Sequence, residues 1–263
     1  MKKLMFAIGA VALCGAALAV ESSIVGYATS KSVPLQDKKT VGYYIGSVAF
    51  EGIGKDSMVA VKDIGTPSAP AVESGDDNCV ELQFLNPKGT SYISYYYISD
   101  AENEEEELVT AWADKFDAVA EDEYPIGQSF WYMANGEPSS ITMPGQVNDS
   151  DTVTKDLDIE YRLFGNAWPM ALDLTKVTTT VPALESGEEG VLELQVLNAK
   201  GTSYISYYYI SDAENEKEEL VTAWADKFDA AVTEPVAAVG AGAWIRNTAE
   251  KPTEGYHKIT FNK

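Results

Sequence analysis

Residues 90–118 read TSYISYYYISDAENEEEELVTAWADKFDA, and residues 202–230 read TSYISYYYISDAENEKEELVTAWADKFDA. The two stretches differ only at Glu105 and Lys217 and lie at a constant offset of 112 residues. Self-similarity at such a period indicates that one structural unit is used twice. The sequence therefore predicts two tandem modules, each of a size that is common for a single domain.

The residues before the repeat have the pattern of a β-hairpin. Val80, Leu82 and Phe84 alternate with polar side chains, which is typical of a half-buried strand. Residues 86–89, NPKG, place Asn, Pro and Gly at the positions that a type I turn favours. Residues 91–99 are rich in Tyr and Ile, which suit the returning strand.

Further short strands are predicted at residues 125–133, which enter an aromatic strand from a turn, and at residues 140–143. Short strands separated by Gly, Pro and Asn turns are typical of sandwiches and small barrels. We therefore expect a mainly β protein with two tandem β-sandwich-like modules, small barrels being the alternative.

Residues 100–120 are ambiguous between a helix and a strand. Acidic residues come first, as at a helix start, and Leu108, Trp112 and Phe116 follow at four-residue spacing. Against a helix, four consecutive glutamates repel one another within a helical turn. A strand is favoured, and a short helix in each module stays open.

The N-terminus has the pattern of a secretory leader. Lys2 and Lys3 precede an apolar run over residues 4–18, and Ala17-Leu18-Ala19 has the small-x-small pattern of a cleavage site. The run is shorter than the roughly 20 residues that span a bilayer. A lipid anchor at Cys14 is disfavoured because the large Leu13 precedes it. We expect export without a transmembrane anchor, to the extracellular space, the cell surface or a periplasm.

These observations divide the chain into four parts. They are a signal peptide (1–19), a first β module (20–148), an acidic linker (149–158) and a second β module (159–263).

The charge narrows the choice of partners. The chain carries 19 basic and 41 acidic residues, for a net charge of −22. Nucleic acid is excluded as a partner because phosphate binding needs clustered Lys and Arg. An apolar content of 45% excludes a disordered acidic chain.

Several short motifs carry a resemblance. They are SSIVGY at residues 22–27, GNAWP at 165–169, PIGQSFW at 125–131 and PGQV at 144–147. In these the chain resembles a group of secreted bacterial β-repeat proteins with an SSIVGY-type mature N-terminus, whose role is not established. The resemblance implies export and β architecture, and it implies no catalytic or binding residue. Copy one departs from it, with SVAF at 47–50 where an Asn-x-x-Pro element is expected.

Calcium is the one metal that the sequence suggests. Carboxylates at alternating positions of a loop suit a hard cation, although a solvated charge run is the simpler interpretation. The candidate ligands are Asp100, Glu102 and Glu104, with Asp212, Glu214 and Glu216 in the second copy.

Aromatic side chains on a β face suggest carbohydrate binding, although large aromatic residues more often pack in cores. The candidates are Tyr95, Tyr97, Trp112 and Trp131, with Tyr207, Tyr209, Trp224 and Trp244 in the second copy.

No catalytic residue is predicted. His257 is the only histidine, and we expect it to be solvated. Cys79 lies in an alternating apolar stretch, so we expect it to be a small buried side chain. Two facing carboxylates suffice for glycoside hydrolysis, but in a chain with 41 acids their presence says little.

The sequence therefore favours a secreted, non-catalytic structural or adhesion protein of a cell surface or extracellular matrix. Its partners would be other envelope or matrix proteins, or further copies of itself. A pair of carbohydrate-binding modules, with polysaccharide as the ligand, is the first alternative, and a secreted hydrolase is the second.

Overall fold

The described part of the chain is built almost entirely of β-strands. A computed structural model of the protein describes residues 25–30, 41–52, 58–157 and 161–263. The predicted signal peptide lies outside these residues. The first ten strands are β1 (Val25–Thr29), β2 (Val41–Ser47), β3 (Met58–Ala60), β4 (Thr66–Pro67), β5 (Val80–Leu85), β6 (Tyr92–Glu102), β7 (Leu108–Ala113), β8 (Glu123–Pro125), β9 (Ser129–Asn135) and β10 (Ile141–Gln146).

Eight further strands follow them. They are β11 (Thr152–Leu157), β12 (Tyr161–Gly165), β13 (Val177–Thr179), β14 (Leu192–Leu197), β15 (Tyr204–Glu214), β16 (Leu220–Ala225), β17 (Gly242–Arg246) and β18 (His257–Asn262). The helical residues that are described form two single 3₁₀ turns, Val61–Asp63 and Leu174–Lys176.

The strands form the same pair of antiparallel sheets twice. In module 1 (β1–β10), a five-stranded sheet has the order β2-β9-β5-β6-β7 and a three-stranded sheet has the order β1-β10-β4. In module 2 (β11–β18), the corresponding orders are β12-β17-β14-β15-β16 and β11-β18-β13. The small pair β3-β8 belongs to module 1. The prediction of a mainly β fold with sandwich-like modules is confirmed.

The β5–β6 hairpin forms at the predicted turn. The amide of Gly89 donates to the carbonyl of Asn86 at 2.9 Å, and the Asn86 side chain accepts from the amide of Thr90 at 3.0 Å. Gly89 has a φ of 70°, a left-handed conformation that glycine adopts without strain. Asn198 and Gly201 repeat this arrangement in module 2.

The ambiguous residues 100–120 form strands and turns. β6 runs to Glu102, and β7 begins at Leu108 after a tight turn. In that turn the Asn103 side chain accepts from the amides of Glu105 and Glu107, at 3.0 and 2.9 Å. The alternative of a helix here was wrong, because Asn103 offers the acidic backbone a turn in place of a helical hydrogen-bond ladder.

Each module encloses a core between its two sheets, with a tryptophan from the repeated segment at the centre. Trp112 donates to the carbonyl of Gly65 at 2.7 Å, and Trp224 donates to that of Val177 at 3.1 Å. Both indoles are almost fully buried. A buried indole N–H needs an acceptor, so these two bonds tie β7 and β16 to the opposite side of their sandwiches.

The segment predicted as an acidic linker contains a strand. Within 149–158, β11 pairs along its whole length with β18. Val153 and Leu157 turn toward the core of module 2, while Thr152, Thr154 and Asp156 stay exposed. This alternation is the period of a half-buried strand. Residues 152–157, which lie within the predicted linker, therefore form a strand that pairs with β18 of module 2.

A local two-fold relation connects the two modules. Trp131 pairs with Ile45 across β9 and β2, and Trp244 pairs with Leu163 across β17 and β12. With these positions equated, the backbone contacts between the modules fall into matched pairs. They are the bridges Gly46–Ala241 and Phe164–Gln128, and the hydrogen bonds from Ser47 N to Gly240 O (2.9 Å) and from Gly165 N to Gly127 O (3.1 Å).

We call this contact the seam. Apolar residues from equivalent positions of both modules fill it, and three of them are buried. The six residues are Ile45, Leu85 and Trp131 of module 1 with Leu163, Leu197 and Trp244 of module 2.

At the centre of the seam, module 1 contributes serine side chains and module 2 contributes glycines. Ser47 and Ser129, both fully buried, face Gly165 and Gly242. A Cβ atom on Gly242 would lie 2.6 Å from the carbonyl oxygen of Gly46 and would also clash with the Ser129 hydroxyl. The modules approach this closely because one of them contributes no side chains there.

Candidate functional site

Each module exposes a pair of large apolar side chains. Phe116 and Phe228 are 75% exposed, while Leu108 is 70% and Leu220 is 71% exposed. All four lie in the near-identical segments. Single exposed apolar residues are common on protein surfaces, but here the same pair is presented twice. We call Leu108 with Phe116 the first tip, and Leu220 with Phe228 the second tip.

The turn after β7 holds Phe116 outward. The Asp114 carboxylate accepts from the amides of Phe116 and Ala118, at 2.8 and 3.2 Å. Asp117 adopts a φ of 65°, and the Lys115 ammonium lies 4.8 Å from the centre of the Phe116 ring. The second copy repeats these contacts with Asp226, Phe228, Ala230, Asp229 and Lys227.

Carboxylates surround each tip. The amide of Glu102 donates to the carbonyl of Asp117 at 2.8 Å, so the Phe116 turn lies beside the end of β6. The exposed glutamates of residues 104–107 follow directly. The first tip is therefore an apolar contact within an acidic surface, and the second tip differs in having Lys217 at the position of Glu105.

The predicted calcium ligands lie in this acidic surface. Asp100 accepts from the amide of Ser74 at 2.8 Å, and Asp212 accepts from that of Ser186 at 2.9 Å. The other four candidates, Glu102, Glu104, Glu214 and Glu216, are exposed. Over the described ranges, the structure brings together no cluster of three or more acidic, His or Cys side chains that could hold a metal ion. Calcium binding stays a prediction.

Three of the eight predicted sugar-binding aromatics are core residues. Tyr95 and Trp112 are 1% exposed and Trp224 is 3% exposed. The Tyr95 hydroxyl donates to Asp122 at 2.8 Å. For these three the prediction of a sugar contact was wrong, because their sides of the sheets face the opposite sheet rather than solvent.

Three more of the predicted aromatics are half-buried. Tyr97 packs on Trp112 with ring centres 5.2 Å apart, and Tyr209 packs on Trp224 at 5.5 Å. Tyr207 lines an open cavity of about 580 Å³. Its counterpart Tyr95 is buried in module 1, where its hydroxyl contacts the side chains of Asp122 and Tyr124.

Trp131 and Trp244 lie at the seam, on the outer faces of the five-stranded sheets. The Trp131 indole donates to the Tyr92 hydroxyl at 3.3 Å, and its ring meets that of Tyr43 edge-on at 6.0 Å. Trp244 meets Tyr161 in the same way at 6.2 Å. Of these two residues, Trp131 lines a concave surface between the modules.

That surface is a groove between β2 of module 1 and the β14–β15 hairpin of module 2. It consists of two cavities of about 280 and 440 Å³, which share Tyr43, Leu197 and Gly201. We call it the seam groove. Sequence reasoning missed it because its walls come from two modules, and no local pattern shows which outer faces meet.

Cys79 and His257, the two residues that the sequence analysis considered singly, are both buried. Cys79 is buried, and this burial raises the pKa of its thiol to about 11. His257 is also buried, with its Nε2 2.9 Å from the carbonyl oxygen of Glu250. The expectation of a solvated histidine was wrong, because β18 turns this side chain inward.

Fold and surface together define a mainly β protein of two sandwich-like modules joined at a groove. No family model matches the chain, and neither does any curated protein or solved structure with which it was compared. Within the ranges that the structure describes, no helix has the length and apolar character needed to cross a membrane.

Proposed function

We propose that the chain is an exported, non-catalytic structural or adhesion component of a cell surface or extracellular matrix, and that it binds partner proteins through its two tips. The observation that carries the proposal is the double presentation of the tips. Phe116 and Phe228 are equally exposed and are held by the same turn contacts. The leader pattern of residues 1–19 supports export.

The charge of the tip surroundings indicates the kind of partner. An apolar ring within a carboxylate surface fits a basic protein surface that offers an apolar pocket. Aromatic anchors supply most of the energy of such contacts, and the surrounding charges supply orientation and association rate.

Two closely similar tips on one chain also allow bivalent binding. When both engage the same assembly, the second contact forms at a high effective concentration, so weak single contacts add up to firm attachment. This suits an adhesive or assembling role.

The proposal is tested with the native cells and the purified mature chain. Fractionation with an antibody should find the protein in an envelope or matrix fraction, and its recovery in the cytosol would contradict the proposal. Binding of the mature chain to the immobilised fraction should then fall at least tenfold in the double variant Phe116→Ala/Phe228→Ala, and less in either single variant.

A matched control comes from the same chain. Tyr27 is 77% exposed on β1 and lies outside both tips. Tyr27→Ala removes a similar aromatic surface and should leave binding unchanged. Equal losses in the Tyr27 variant and the double tip variant would show general stickiness and would refute a role for the tips.

A further inference from the structure

We propose that the seam groove binds a single neutral oligosaccharide chain, one per protein. This goes beyond the proposed function, since it concerns a different surface and a different class of ligand. The proposal rests on the aromatic walls of the groove, on hydrogen-bonding groups that the protein leaves unused, and on a difference between the two halves of the seam.

Aromatic side chains from both modules line the groove. Tyr43 and Trp131 come from module 1, and Tyr204 comes from module 2. The Tyr43 and Trp131 rings are nearly perpendicular, at 83°. Perpendicular rings wall a pocket and do not form a flat platform. The geometry therefore fits one sugar chain, whose rings present C–H faces to the aromatics, and does not fit the flat face of a crystalline polysaccharide.

The polar groups in the groove are positioned by the protein and partly free. The Gln83 amide donates one hydrogen bond to Glu81, at 2.7 Å, and Glu81 is itself 9% exposed. This bond orients the amide, and its Oε1 has no partner within the described residues. The Ser203 hydroxyl accepts from Asn198 at 2.7 Å, so its own proton is available to a ligand. Paired donors and acceptors of this kind suit sugar hydroxyls.

A further polar group lies in the larger cavity. Tyr44 lines that cavity, and its hydroxyl is buried without a hydrogen-bond partner in the described part of the chain. Buried hydroxyls are normally satisfied, so an unpaired one needs an explanation. A ligand reaches this hydroxyl only after a local shift of the groove, so the proposal rests on Gln83 and Ser203.

The charge of the protein selects among sugars. With a net charge of −22, and with Glu81 directly behind Gln83, an anionic glycan would be repelled. Neutral oligosaccharides are the class that the groove accepts.

The two-fold relation predicts a second groove, but its counterpart residues differ. Arg246 takes the place of Met133, and Arg162 takes the place of Tyr44. The Arg246 guanidinium lies 5.9 Å from the centre of the Tyr161 ring and 3.7 Å from Glu193. Long charged side chains thus occupy the equivalent positions, which is why we infer one sugar site per chain.

This difference provides a matched pair of variants. Gln83 and Gln195 are equivalent, and each donates to its glutamate at nearly the same distance, 2.7 and 2.8 Å. Gln83→Ala and Gln195→Ala therefore remove the same internal hydrogen bond, although Glu193 keeps its contact with Arg246. Gln83 alone lines the groove.

The probe is a panel of neutral β-glucan, xylan, mannan and chitin oligosaccharides on an array, followed by calorimetry with the strongest binder. We expect a stoichiometry near one and about tenfold weaker binding in Gln83→Ala, the loss of roughly one or two hydrogen bonds. Gln195→Ala should bind within twofold of wild type. No binding to any member of the panel, or equal losses in both variants, would overturn the proposal.

Tryptophan fluorescence gives a second readout in the intact mature chain. A sugar in the groove should change the emission of Trp131, so the change should persist in Trp244→Phe and vanish in Trp131→Phe. A change that vanishes in Trp244→Phe and persists in Trp131→Phe would show that the sugar does not bind in the seam groove. The double variant Phe116→Ala/Phe228→Ala should bind sugar normally. The sugar-binding proposal and the proposal that the tips bind partner proteins can therefore fail independently.

Discussion

The seam between the modules makes one substitution especially informative, Gly165→Ala. Gly165 has an ordinary strand conformation, so an alanine is penalised there only for lack of space. Its Cβ would clash with the Cβ and hydroxyl of Ser47 and would lie 2.7 Å from the hydroxyl of Ser129. We expect the variant to fold with a strained or partly opened seam.

The cost follows from the way the added methyl is accommodated. Overpacking of a tight contact costs about 1–3 kcal/mol. If the free energy of unfolding falls by about 2 kcal/mol, the melting temperature of a chain of this size should fall by roughly 4–8 °C. If the modules separate instead of adjusting, calorimetry should resolve two transitions in place of one.

A second substitution should reverse the effect. Ser47→Gly removes the two nearest atoms that the new methyl meets and leaves the Ser129 hydroxyl, but it also removes the 2.8 Å hydrogen bond from Ser47 to the carbonyl of Asn166. Alone it should cost about 1–2 kcal/mol. The double variant Gly165→Ala/Ser47→Gly should be more stable than the sum of the single effects predicts, by at least about 1 kcal/mol.

Gly242 supplies the contrast. A methyl on Gly242 meets the backbone oxygen of Gly46 at 2.6 Å, which no side-chain truncation can remove. Ser129→Gly should therefore fail to rescue Gly242→Ala. Chemical denaturation and calorimetry of all six variants provide the measurements. Strict additivity at Gly165, or full rescue at Gly242, would refute the steric account of the seam.

Four further predictions concern the rest of the molecule. Trp112→Phe should cost about 2–3 kcal/mol in urea unfolding, since it removes the hydrogen bond to Gly65 and leaves a cavity; an unchanged midpoint would contradict this. Burial lowers the pKa of Lys155, so the charged lysine destabilises the fold at neutral pH and this effect fades as the pH rises toward 10.5. The stability of Lys155→Met relative to wild type should thus decline between pH 7 and pH 10, and a constant difference would show that Lys155 titrates as in the unfolded chain. Because burial raises the pKa of the Cys79 thiol, Ellman's reagent at pH 8 should react with it far more slowly in the native protein than in urea, and equal rates would refute its burial. Millimolar calcium should raise the melting temperature and a chelator should lower it, whereas no shift in either direction would end the calcium prediction.

The parts of the fold that could be predicted depend on local chemistry. The turn at residues 86–89 formed as expected because Asn86 and Gly89 satisfy its backbone without help from distant residues. The helix alternative for residues 100–120 was the weakest point of the prediction. Trp112 and Phe116 share a helical face, but the structure buries the first and exposes the second.

The candidate site was predicted less well than the fold. Trp131, one of the predicted sugar-binding residues, lines the seam groove, whereas Tyr95 and Trp112 were offered for binding and are core residues. Gln83, Tyr43 and Tyr204 were not identified at all. No sequence period marks them, since their importance comes from a neighbour in the other module.

By itself, the sequence determined the two copies of one segment, the hairpins within them, the acidity and the leader pattern. All of these are properties of residues close together along the chain. Only the tertiary structure decided which tyrosines are buried, that residues 152–157 join a sheet, and that Ser47 meets Gly165. Burial and contact depend on what packs from the other sheet or module, and identical segments receive different neighbours. Tyr95 and Tyr207 show this directly. They occupy the same position of the repeated segment, yet Tyr95 is buried in module 1 and Tyr207 lines an open cavity in module 2.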